Sequence, residues 1–174
     1  MNKKFVLLIS ILAYFSGILW GFFFEIPFVG KHQHSLPPKT ENYLQLDYFN
    51  TFIYLMKNNL YVIYFNICIG SLTLGIFSFV YTFYNGLVLG YIFEVSYRVL
   101  GVKQTLNLIL PHSIELVAII WSCYIGFIIS YKILKEDVLE KEIDIKWKNI
   151  LSQILICSLI IVIAAFLESY VSMR

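Results

Sequence analysis

His112 and Glu115 stand three residues apart inside an otherwise apolar stretch. On a helix that spacing places both on one face. An imidazole beside a carboxylate is a pairing that relays a proton or grips a polar substrate, and an ionisable group inside a membrane span is a functional hypothesis by default. The plainer reading is an acid near the headgroups, stabilised by the helix N-terminus and hydrogen-bonded to His112. The residues alone leave both readings open. Glu168 is a third such group, at the end of an uncharged run that starts at residue 149. With His112, Glu115 and Asn85 it makes up a candidate polar intramembrane site, for which Arg98 is the expected counter-charge. Glu94 and Arg98 are four apart, with the acid on the N-terminal side, which is the favourable order for a structural ion pair on a helix.

Other chemistry-bearing residues form no pattern. His32 and His34 are two apart with no further ligand nearby, so no metal is expected there. Cys68, Cys123 and Cys157 fit no zinc or redox spacing and read as small apolar residues inside spans. G-x-S-x-G, H-E-x-x-H and a Gly-rich phosphate loop are all missing from the sequence. No catalytic residue, metal or cofactor is therefore assigned. An intramembrane peptide-processing role for His112 and Glu115 ranks last, because no nucleophile accompanies them.

These groups must be held by elements suited to a membrane. Of 174 residues 59% are apolar and 14% charged, against about 25% charged in soluble domains; mean hydropathy is +0.76. A small soluble domain leaves too much surface in water to hide that excess. The net charge of +2 removes the usual electrostatic case for nucleic acid. The 24 charges (13 basic, 11 acidic) leave five uncharged stretches: 5–24, 58–93, 104–114, 116–131 and 149–167. A span needs about 20 residues. The 36-residue stretch 58–93 would make a helix of about 54 Å, too long for one crossing, so it must turn within itself. Tyr84-Asn85-Gly86 carries the turn signal.

The expected fold is all-α: a single polytopic membrane domain, 1–174, with about five spans at 5–24, 60–83, 87–101, 111–131 and 149–170. Pro111 suits the first position of the fourth. Lys3, Lys4, Lys132, Lys135, Lys141, Lys146 and Lys148 then share one side, which the positive-inside rule makes cytoplasmic. The N-terminus is expected inside as a retained anchor, and the C-terminus outside.

The outer segment 25–59 begins irregularly around Pro27, Pro37 and Pro38. From Asn42 onward Leu46, Phe49, Ile53, Met56 and Leu60 recur at helical spacing, predicting an amphipathic helix on the outer surface before span two. The connector 132–148 holds five charges of each sign, with Leu139, Ile143 and Trp147 as one apolar stripe. It reads as a solvated helix or a cytoplasmic docking surface. Gly17 and Gly21, Gly86 and Gly90, and Gly126 between Ser122 and Ser130 are small-residue stripes that let helices approach closely. Packing within the chain is the first reading, and a homo-oligomer stays open.

Several segments together carry a family resemblance: Asn58-Asn59 opening span two, YNGLVLG at 84–90, LPHSIELVAI at 110–119, AAFLESY at 164–170, and the Gly17/Gly21 pair. On these the chain resembles the stage II sporulation protein M family of bacterial membrane proteins, over nearly its whole length. The resemblance implies an integral membrane protein of the bacterial cell membrane with no established enzymatic activity. The sporulation protein looks like part of a complex acting when one cell engulfs another. Relatives of this size look like membrane factors for peptide maturation, export or self-protection in circular bacteriocin clusters, beside ABC-type transporter components. The function expected is thus a non-enzymatic component of a larger membrane assembly, in contact with lipid, other membrane proteins and a peptide substrate. A sporulation or engulfment subunit and an autonomous proton-responsive transporter are the alternatives; the inverted repeats that would support a transporter are not visible.

Overall fold

Apolar sequence in which every backbone group is satisfied locally forms helices, and five long ones make up the computed structural model, which describes residues 3–24, 47–110, 112–138 and 146–172. They are α1 (Lys3–Phe23), α2 (Tyr48–Leu72), α3 (Ile76–Ile109), α4 (His112–Ile133) and α5 (Trp147–Ser172). A single π turn, Leu134–Val138, extends α4. No strand occurs among the described residues. Among the described residues four helices, Lys3–Phe23, Ile76–Ile109, His112–Glu136 and Trp147–Tyr170, are long and apolar enough to cross a membrane. Their outer faces carry bare large apolar side chains such as Leu12, Leu19, Val80, Leu155 and Leu159, as lipid contact requires. This is an all-α polytopic membrane protein.

The long uncharged stretch does turn, but at residues 73–75 rather than at Tyr84-Asn85-Gly86. Leu74 and Gly75 take positive φ, 54° and 80°. The Gly75 amide donates to Gly70 O at 2.8 Å, and the Thr73 hydroxyl donates to Ile69 O at 2.9 Å while accepting from the Phe77 amide at 3.2 Å. Thr73 thus closes one helix and starts the next. Asn85 and Gly86 lie mid-helix. Asn85 donates its side-chain amide back to Tyr81 O at 2.7 Å, and Gly86 abuts the backbone carbonyl of Tyr14. The expected spans 60–83 and 87–101 are therefore redrawn. The first half of 60–83 ends α2. The rest joins 87–101 in one long α3, interrupted only at Gly101, where φ is 74°. The 25 residues of α3 before that break reach about 37 Å, enough for a full crossing.

The amphipathic segment before span two is also redrawn: from Tyr48 it forms the first half of α2 itself. Asp47 caps it, accepting from the Asn50 amide at 2.8 Å. Thr51 and Leu55 are buried, and the rings of Tyr48 and Phe52 meet Phe166 of α5 edge-on. Residues 25–46 and 139–145, including His32, His34, Leu139 and Ile143, lie outside the described residues.

Contacts fix the topology. Gly17 and Gly21 sit against the backbone of Phe83, Leu87 and Tyr91, while Gly86 and Gly90 sit against Tyr14 and Ile18. Helices α1 and α3 thus run parallel with their backbones touching, as the small-residue stripes imply. Asn59–Glu115 and Asn66–Ser122 keep one register, so α2 and α4 are parallel. Trp121–Gln153 and His112–Glu168 make α5 antiparallel to α4. Helix α4 touches all four others and buries Ala118, Ile119, Ile120 and Ile125 against Ile63, Ile67, Cys157 and Ile161. Cys68, unlike the other two cysteines, is exposed on the outside of α2.

Candidate functional site

The first turn of α4 presents His112 and Glu115 on the face toward α2 and α5, as their spacing predicts. His112 Nδ1 lies 3.3 Å from Glu115 Oε2. On its other edge, Nε2 lies 3.4 Å from Glu168 Oε1, on the last turns of α5. One imidazole therefore bridges two carboxylates from different helices. Side-chain exposure is 28% for His112, 9% for Glu115 and 12% for Glu168. The three could together hold a metal ion, since one ligand atom from each lies within 4.8 Å of the others.

Sequence reasoning missed the fourth member. Asn59 of α2 donates its side-chain amide to Glu115 Oε1 in a short hydrogen bond, and Asn58 donates to Asn59 Oδ1 at 3.3 Å. A chain of five side chains, Asn58–Asn59–Glu115–His112–Glu168, thus joins α2, α4 and α5. The available signal was spacing: Asn59 and Asn66 are seven apart, two turns of one helix face, as are Glu115 and Ser122.

Two expected members are elsewhere. Asn85 lies mid-α3, bonded to its own helix. Arg98 pairs with Glu94, as the structural reading held, and leaves 75% of its side chain exposed. It is no counter-charge to the acids. Both ion pairs that Glu115 and Glu168 make among the described residues come from His112.

A separate polar layer lies deeper. Asn66 is wholly buried and donates to Thr82 at 3.1 Å and to Ser122 at 2.8 Å. Its backbone carbonyl accepts from the Ser78 hydroxyl at 2.9 Å. These bonds tie α2, α3 and α4 together below the site and hold the register that sets Asn59 opposite Glu115.

The fold and site define a class: a small helical membrane protein with a His–carboxylate cluster where three helices meet. The chain matches the model of the family described as stage II sporulation protein M over residues 10–173, and it belongs to that family. An uncharacterised protein of Methanocaldococcus jannaschii is 33% identical over 177 residues, covering 97% of this chain and 94% of that protein. No solved structure matches.

Proposed function

We propose that the chain is a non-enzymatic component of a larger membrane assembly, which presents the His112 cluster to a peptide or protein at the outer face. The Glu94–Arg98 pair carries this reading. Ionisable residues of membrane helices normally face the bundle interior or a polar cavity. Arg98 instead leans off the outer flank of an apolar helix. A second membrane protein docked there would cover the charge and supply polar contacts. Family membership supports a membrane role, and the resemblance to factors of circular bacteriocin clusters makes an ABC-type transporter component the first partner to look for.

The test is purification of the tagged full-length chain from native membranes in mild detergent. A stoichiometric membrane partner is expected, and it should be lost in the double variant Glu94→Leu, Arg98→Leu. Recovery of the bare chain alone would count against the assembly. The bridging position of His112 favours one second reading, a proton-responsive transporter. In that case Glu115→Gln abolishes pH-dependent flux in liposomes while the fold survives.

A further inference from the structure

The geometry points to a divalent transition-metal site of the zinc class on His112, Glu115 and Glu168, with the imidazole and both carboxylates as protein ligands and a fourth position left to water or to a substrate. Four observations carry it, and none depends on the partner proposed above.

The first is distance. Zinc bound by nitrogen and oxygen at about 2.1 Å keeps tetrahedral neighbours about 3.4 Å apart. His112 Nε2 and Glu168 Oε1 are 3.4 Å apart. The complete set, one atom from each residue, spans no more than 4.8 Å. Side-chain shifts of about 1.4 Å close it around an ion, which two long glutamates provide without moving a helix.

The second is charge. Ionised together, two carboxylates would carry −2 in a poorly solvated place, where unbalanced charge is costly. A protonated His112 offsets only half of it. A divalent ion with neutral imidazole brings the cluster to zero, and neutral imidazole is the form that binds metal.

The third is an unused acceptor. Glu168 Oε2 is buried with no donor in reach, and the Glu115 carboxylate lies within hydrogen-bond reach of the Glu168 side chain, a costly pairing unless a proton or a cation lies between them. A cation in the cluster would satisfy it.

The fourth is the surrounding support. Metal-binding carboxylates are themselves held by hydrogen bonds from a second layer. Asn59 grips Glu115 Oε1 and is itself held by Asn58, while Oε2 faces His112 Nδ1 at 3.3 Å. The donors are one nitrogen and two carboxylates with no thiolate. That set suits zinc, manganese or ferrous iron over copper(I), and the imidazole disfavours magnesium and calcium.

The test uses the full-length chain in detergent, dialysed against zinc chloride and then against metal-free buffer, with bound metal counted by mass spectrometry. About one zinc per chain is expected in the wild type. Glu168→Gln and His112→Gln should each weaken zinc binding at least ~10-fold with helicity intact, and Asn59→Ala should weaken it less. A wild-type chain that retains no zinc, with Glu168 shown protonated by its infrared carbonyl band, would mean that a proton fills the role and would overturn the site. Retention of zinc by both ligand variants would overturn it equally. If those variants fail to fold, cobalt titration of the wild type decides, because an N/O-ligated ion gives a visible absorption band. No band at saturating cobalt overturns the proposal.

Discussion

Asn59 and Glu115 are hydrogen-bonded across α2 and α4 at a separation of 56 residues, and Asn66 and Ser122 repeat that separation two turns further on. The two bonds make one ladder. The deeper rung is wholly buried and ties in α3 through Thr82; the shallower rung positions an ionisable group. Polar contacts on one helix face can thus hold helix register at one level and position an ionisable pair at the next.

Asn59→Ala removes a donor from a buried carboxylate. Interhelical hydrogen bonds in membranes average about 0.6 kcal/mol, whereas orphaning a charged acceptor costs more. A loss of about 1–2 kcal/mol is expected, seen as a fall in Tm of roughly 2–4 °C per kcal/mol. Asn58→Ala, whose bond is exposed, should fall by less than half of that. Equal effects from the two variants would deny Asn59 its place in the cluster.

The α2–α3 turn gives a test of topology. Inserting Gly-Ser after Leu74 lengthens a loop already at positive φ, so the chain should fold. The same insertion after Asn85 rotates the rest of α3 by about 200°. That would carry Gly86 and Gly90 away from Tyr14 and Ile18. Detergent-resistant folding, read as a single sharp size-exclusion peak, should survive the first insertion and fail in the second.

That turn also marks where the sequence was legible. The 36 uncharged residues from 58 to 93 forced a reversal somewhere, and one exists. Its position was misread because Asn-Gly is a turn signal in water. Inside the bundle Asn85 bonds to its own helix and Gly86 admits the backbone of α1. His112 and Glu115 were legible because three residues on one helix need no tertiary knowledge, and Glu168 stood out against its apolar run. Asn59 was not legible as a site residue. Its partner is 56 positions away, and only the register set by Asn66 brings them together. The Glu94–Arg98 pair was legible for the same reason as His112 and Glu115, being four residues apart on one helix; only the role of Arg98 as counter-charge to the acids did not hold.

The α1–α3 contact predicts unequal costs for similar substitutions. A Cβ on Gly90 would fall onto the Ile18 carbonyl, which is backbone and cannot step aside. At Gly126 the nearest obstacle is the Ser78 hydroxyl, which can rotate. Overpacking costs about 1–3 kcal/mol, so Gly90→Ala should lie at the upper end of that range and Gly126→Ala at the lower. Denaturant titration in mixed micelles measures both, and a reversed order would contradict the backbone contact.

The bridge between His112 and Glu168 can be read in membranes without purification. Replacing Cys68 by Ser and Cys123 and Cys157 by Ala removes the native thiols. In that background, His112→Cys with Glu168→Cys places two thiols where side-chain tips meet at 3.4 Å. A short bis-maleimide should join them, giving a loop-closed chain of altered mobility on a denaturing gel. Asn85→Cys with Glu168→Cys serves as the contrast, because Asn85 is mid-α3 and bonded to its own helix. A crosslink in the first pair and none in the second is expected. The same band from both pairs would mean that α3 and α5 share the site, against a packing in which α4 contacts both and α3 and α5 hardly meet.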